Sequence, residues 1–310
     1  MCAGVPLAAQ GPTDGVGTAA RTGLMFDGYY FGSSYAFDHV VEWTVPVGLS
    51  YRLGPHLTVD LSSAYAHAAA ATTSGTLEVS GATDSDVRIS WAPASGHVIV
   101  SVVGTLPTGK KAVDSSAVPL LSALATEVLN FTTPTFGTGG GVMGGFATAV
   151  KLGEHWAGGV GGSYRWRASY TPVAGGGDLA PGGEGRVRLG AEGPVGGRGY
   201  FRGAAVYATS GADTLGAAAR SASGPRFLVY SGLSLPAGGS SLSLYAYDRY
   251  RFRPHDDDST VVQVPRGNVL ALGARLDRPV SPALSLAPNV EFRHELAGPA
   301  TGRLALLGWL

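Results

Sequence analysis

The stretch VEWTVPVGLSYR, residues 41–52, alternates without a lapse. A period of two places Val41, Trp43, Val45, Val47, Leu49 and Tyr51 on one face. Glu42, Thr44, Pro46, Gly48, Ser50 and Arg52 fall on the other, so the segment reads as a strand with one apolar and one polar side. The pattern returns along the chain. Leu57, Val59 and Leu61 oppose Thr58, Asp60 and Ser62; Val87, Ile89 and Trp91 oppose Asp86, Arg88 and Ser90. Val160, Tyr164 and Trp166 oppose Ser163, Arg165 and Arg167; Val187, Leu189 and Ala191 oppose Arg186, Arg188 and Glu192. Leu270, Leu272 and Leu276 stand against Asn268 and Arg275, and Leu284, Leu286 and Phe292 against Glu291 and Arg293.

A sheet with one face in bulk water carries Lys, Glu and Thr freely on that face. Here the polar face is mostly Arg with Asp or Glu, a choice that suits a confined interior where guanidinium forks pair with carboxylates and fill space. The composition agrees. Among 310 residues there are 48 glycines, 14% are charged and 45% hydrophobic, and the formal net charge is zero. Charged residues are scarcer and glycine commoner than in soluble proteins, which average about 25% and about 7%. A zero net charge also argues against a nucleic-acid partner, which needs concentrated basic surface. No run reaches the roughly 20 apolar residues of a membrane helix, whereas a membrane barrel needs only about 9–11 residues per strand.

Turn chemistry supplies a second line. Tight Gly, Pro and Ser turns fall near 54–55, 94–96, 153–154, 196–197, 238–239 and 280–282, and longer segments lie near 69–83, 109–136, 171–181, 209–224, 253–263 and 295–300. Short turns on one rim and long loops on the other are the asymmetry of outer-membrane barrels. Counting strands from the segment at 24–37 to the closing one at 302–310 gives about fourteen, an even number as such barrels require. The expected fold is therefore an all-β transmembrane antiparallel barrel spanning residues 22–310 as one domain. Aromatic residues near strand ends, Tyr164, Trp166 and Trp309 among them, suit interfacial girdles. The exception to strands is 115–129, where Leu121, Leu124 and Val128 have helical spacing; it predicts a short helix inside the long loop. Residues 1–21 read as a signal remnant, with Leu7, Ala8 and Ala9 resembling a cleavage site, or as a short N-terminal lumen segment.

The motif VVGTLPTGKK, residues 102–111, nearly spells a phosphate-binding loop through Gly104, Gly109 and Lys110. Lys111 occupies the place where Ser or Thr would hold Mg²⁺, which removes that chemistry. Cys2 is the only cysteine, the seven histidines show no paired metal spacing, and no GxSxG elbow is present. The acidic run at Asp256, Asp257 and Asp258 lacks the glycine and ligand spacing of an EF-hand and reads as a solvated loop tip. No enzyme activity, cofactor or metal is expected.

Read in order, GATDSDVRISWAP (81–93), SVVGTLPTGKK (101–111), FGTGGGVMGGFATAV (136–150) and GGVGGSYRWRASY (158–170) resemble the FadL-like superfamily of outer-membrane hydrophobic-compound transporters. The likeness is stronger to its shorter branch, associated with the meta-pathway of phenol degradation. The resemblance implies passive uptake of small hydrophobic compounds, aromatic hydrocarbons or fatty acids, by a bacterial outer-membrane protein. Lipid and a hydrophobic ligand would be its partners, and a monomer is favoured. The Asn-Pro-Ala motif of the fatty-acid transporter's N-terminal hatch is absent. In this reading Pro107 ends the strand and Gly109 permits the bend into an outer loop.

Two residue sets follow as candidates. Leu120, Leu121, Leu124, Val128, Phe131 and Phe136, apolar side chains in a loop nominally in water, are the expected ligand-binding set. Glu42, Asp60, Asp86, Arg88, Arg165, Arg167, Arg186, Arg188, Glu192, Arg275, Glu291 and Arg293 are expected to point into the lumen and pair. A barrel with a structural or adhesive role, or a barrel enzyme, is the alternative.

Overall fold

The computed structural model describes residues 17–31, 37–72, 75–126, 129–216, 219–254, 261–281, 284–297 and 303–309. Seventeen strands make one sheet, and its pairings return to their starting point. In chain order the wall runs through Thr18–Thr22 with Leu24–Tyr30, His39–Arg52, Leu57–Thr72, Gly75–Ala82 with Ser85–Trp91, Val98–Leu106, Gly141–Leu152 and Trp156–Arg167. It continues through Glu184–Val195, Gly199–Ser210, Arg226–Ala237, Ser240–Arg251, Gly267–Ser281, Leu284–Leu286 with Pro288–Ala297, and Arg303–Trp309. The last strand pairs antiparallel with Leu24–Tyr30 and closes the ring. In three places two short strands share one neighbour end to end, so the seventeen strands occupy fourteen positions around the wall. Every contact between neighbouring positions is antiparallel, and the only one-sided pairings among the described strands of the ring are those of the short strands Thr18–Thr22, Gly75–Ala82 and Leu284–Leu286.

The alternation decides which way each side chain points. Val187 and Leu189 are more than half exposed on the outer surface, as are Phe146, Tyr164, Trp166 and Leu272. In the same registers Glu42, Thr44, Glu291 and Arg293 are buried on the inside. A continuous belt of exposed apolar side chains around a closed sheet is a lipid-facing surface. Trp91, Tyr51 and Trp156 stand near the tight-turn rim, and Tyr30, Tyr164 and Trp166 near the other, which gives the belt two aromatic borders. Glycine serves this wall as room for rings. A methyl group on Gly273 would lie 2.1 Å from the Tyr245 ring, and one on Gly193 would lie 2.5 Å from Trp156. The aromatic side chains lie flat across the neighbouring strand only because these positions carry none.

The rims differ as the turn chemistry predicts, with one correction. Residues 53–56, 92–97, 153–155, 196–198 and 238–239 are the tight connections, and 107–140, 168–183, 211–225 and 252–266 are long ones. The segment 69–83, expected to be a long loop, is instead wall: Leu57–Thr72 and Gly75–Ala82 pair from Tyr65 to Thr72. The run of alanines Ala68–Ala71 that enters it reads as loop by composition, and a strand tolerates it because the inward Ala66, Ala68 and Ala70 are covered by another part of the chain. Within 1–21, Thr18–Thr22 also belongs to the wall, paired with Val47–Tyr51; residues 1–16 lie outside the described residues. Short strands from three long loops, Leu179–Ala180, Asp213–Leu215, Ala219–Ala222 and Val261–Gln263, form a second small sheet on the long-loop rim. The expected short helix is present as Val118–Leu124, preceded by a 3₁₀ turn at Ser115–Ala117.

Candidate functional site

Residues 107–140 fold into the mouth of the barrel, and three of the sequence motifs meet at their base. Asp84 sits at the break between Gly75–Ala82 and Ser85–Trp91, where the chain is free to turn a carboxylate sideways. One of its oxygens accepts the Gly109 N–H at 2.9 Å, and the other accepts the Thr138 N–H at 2.6 Å and the Thr138 hydroxyl at 2.9 Å. Both legs of the loop are thus tied to one side chain. The approach is close: a methyl group at Gly109 would lie 2.1 Å from the Phe136 carbonyl oxygen. The phosphate-loop look-alike is therefore a loop clamp, its glycine required for backbone contact.

Above the clamp the loop buries its apolar side chains. Leu120, Leu124, Leu129, Phe131 and Phe136 are buried against Tyr29, Phe37, Val40, Ala66, Ala68, Ala70 and Val79, and Leu121 is partly buried beside them. Register places Val40, Ala70 and Leu77 in one inward row, and Ala68 and Val79 in the next. The three alanines remove side-chain volume from the wall where the helix Val118–Leu124 packs. Five of the six expected ligand-binding residues are therefore together in one cluster, but as packed core; Val128 lies outside the described residues. In this structure these side chains pack on one another and on the wall.

The loop's tip docks on charge. The Thr132 N–H donates to Asp27 at 3.1 Å and the Thr133 N–H to Glu42 at 2.8 Å. The Thr44 hydroxyl donates to Glu42 at 2.9 Å and shares a further 2.9 Å bond with the Thr133 hydroxyl. From the other side Arg293 donates to the carbonyls of Leu129 at 3.0 Å and Asn130 at 2.6 Å, pairs with Asp27 at 3.5 Å and with Glu291. Tyr247 and Tyr245 donate to the two oxygens of Glu291 at 2.7 and 2.8 Å. Asn130 holds a left-handed backbone, φ 57°, and its amide reaches the Tyr247 hydroxyl at 3.3 Å. A buried carboxylate needs such partners, because an unpaired one would cost several kcal/mol.

The opposite wall is lined by arginine. Arg186 and Arg226 both grip the buried Glu184, Arg202 pairs with its cross-strand neighbour Glu192 at 3.1 Å, and Arg167 reaches Asp213 at 3.8 Å. Arg275 pairs with Asp277 at 2.7 Å. Pairing was expected for Asp60, Asp86, Arg88, Arg165 and Arg188 as well, and none of these makes an ion pair among the described residues. Asp86 accepts the Thr105 hydroxyl at 2.6 Å instead, and Arg88 and Arg188 are exposed. Charges that keep their water have little to gain from a partner. Sequence reading also missed Asp27, Asp84, Glu184, Arg226 and Asp277, which complete the clusters. Asp27 had one available signal, a lone acid in the apolar strand LMFDGYY.

No protein-family model and no curated protein sequence matches the chain. Among solved structures, the TodX deltaS2S3 mutant, a monoaromatic hydrocarbon channel, aligns over 94% of this chain and 89% of its own at 11% identity, with a TM-score of 0.53. CymD, also a monoaromatic hydrocarbon channel, aligns over 94% and 87% at 10% identity, with a TM-score of 0.50. At these identities the likeness concerns the fold, and together with the closed sheet and its apolar belt it makes this chain a transmembrane antiparallel β-barrel.

Proposed function

We propose that the barrel is a bacterial outer-membrane channel for passive uptake of small hydrophobic compounds, and that it belongs with the shorter, phenol-degradation branch of the FadL-like transporters. The observation that carries the reading is the loop 107–140. It brings Leu120, Leu121, Leu124, Phe131 and Phe136 into the barrel mouth on a framework tied down at Asp84 and at Arg293. A solute entering from the long-loop rim meets the loop that carries this buried cluster, and displacement of the loop from its dock exposes the apolar side chains that receive it. The likeness in fold to two monoaromatic hydrocarbon channels supports the same class of solute.

Complete burial of the same leucines favours one other reading, a structural barrel whose loop is a permanent stopper. Removing residues 115–130 separates the two. For a channel, the shortened protein in proteoliposomes keeps its fold, shown by heat-modifiable migration, and loses facilitated entry of toluene. For a stopper, neither protein facilitates toluene entry, and the deletion merely opens a leak for small polar solutes.

A further inference from the structure

The two sides of the lumen carry opposite charge, and only one side presents it. Asp27, Glu42 and Glu291 lie under the loop tip: both oxygens of Asp27 and of Glu291 and one oxygen of Glu42 meet loop N–H groups, threonine or tyrosine hydroxyls or Arg293, while Glu42 Oε2 is buried without a hydrogen-bond partner among the described residues. Across the lumen Glu184, Glu192 and Asp213 are each paired with an arginine, and Arg165 and Arg188 are left without an ion pair among the described residues.

Within that wall is a recess of about 290 Å³. Its floor is Gly145 and Gly161, inward positions with no side chain, and Ser101 and Ser163 bring hydroxyl groups to it. Ile99 and Val206 add apolar surface, while Arg186 and Arg188 stand at its edge. Arg186 already holds Glu184, but Arg188 makes neither an ion pair nor a side-chain hydrogen bond among the described residues. Its cross-strand neighbours are Gly161 and Val206, so the wall itself supplies no anion to it. The volume lies just under the roughly 300–1,000 Å³ of pockets that hold drug-sized ligands, which suits a one-ring molecule. A planar guanidinium with a free fork above a small-residue floor matches a carboxylate on a flat apolar body.

We infer that this recess binds a small aromatic carboxylate, with Arg188 on the carboxylate and the glycine floor beneath the ring. The inference rests on the channel reading above and narrows it: the solute carries an anionic group for which the lumen has a dedicated stop.

Titration calorimetry of the detergent-solubilised full-length barrel at low ionic strength tests it, with benzoate as the probe and benzamide as its neutral counterpart. Benzoate is expected to bind at least tenfold more tightly than benzamide and to weaken as salt is raised. Arg188→Gln removes the preference, and Arg188→Lys, which restores the charge without the fork, recovers part of it. Equal binding of the two probes, or an unchanged benzoate affinity in Arg188→Gln, overturns the inference. Toluene entry into proteoliposomes distinguishes the failures: entry without benzoate binding leaves the channel intact and removes the anion stop, and loss of both removes both.

Discussion

The half of the lumen beneath the loop and the half lined by arginine are built from the same alternating strands, yet they treat charge in opposite ways. Beneath the loop, inward positions are either small, as in Ala66, Ala68 and Ala70, or charged and partnered, as in Asp27, Glu291 and Arg293, with Glu42 partnered through one oxygen. On the arginine side, Arg165 and Arg188 make no ion pair among the described residues, and Arg188 is exposed. The difference lies in what covers each wall. A peptide loop excludes water, so the charges below it gain most from partners; an uncovered wall keeps its water, and matching becomes optional.

That contrast predicts graded costs. The largest belongs to Arg293→Leu, which leaves Asp27 and Glu291 buried without their cation and strands the carbonyls of Leu129 and Asn130. A loss of about 3–5 kcal/mol is expected in denaturant titrations of the refolded barrel. A loss as small as that of an exposed arginine would mean the loop does not exclude water. Next is Leu124→Ala, expected to cost about 2–5 kcal/mol through the cavity it opens between helix and wall. The comparable inward change on the arginine side, Leu228→Ala, costs under about 1 kcal/mol, because that side chain is only partly covered. Equal costs would erase the distinction between the two halves.

The arginine wall has its own outer face. Leu189→Arg, at mid-strand and more than half exposed to lipid, is expected to destabilise by about 2–4 kcal/mol. The adjacent Arg188→Leu points into water and shifts folding by less than about 0.5 kcal/mol. Refolding both variants into the same bilayer gives the comparison directly. A smaller effect is expected at the clamp, where Asp84→Ala removes the acceptor of three hydrogen bonds and costs about 1–3 kcal/mol. Limited proteolysis then cleaves between 109 and 138 while the strands stay protected. If cleavage does not increase, the apolar cluster alone holds the loop.

Legibility in the sequence was uneven, for reasons visible in single residues. Val41–Arg52 reveals its two faces because a strand repeats every two residues, and lipid outside a closed sheet favours apolar side chains on the outer face. Arg186 and Glu192 were readable as inward for the same reason, but their partners were not. Glu184 lies two positions from Arg186 along the strand, and Arg202 reaches Glu192 across a turn whose register only the folded hairpin fixes. Asp84 passed for an ordinary polar residue, since nothing local says that Gly109 and Thr138 will arrive beside it.

By itself, then, the sequence determined the antiparallel barrel wall, its even number of positions and the direction of the side chains in its alternating segments. These follow from a two-residue period, turn chemistry and the cost of exposing polar groups to lipid, all of which act locally. Only the tertiary structure decided that the loop 107–140 enters the mouth, that its leucines are core, and that Asp27, Glu42, Glu291 and Arg293 close into one network. Those contacts join residues as far apart as 27 and 293, and their energy comes from shared burial, which no stretch of the chain contains alone.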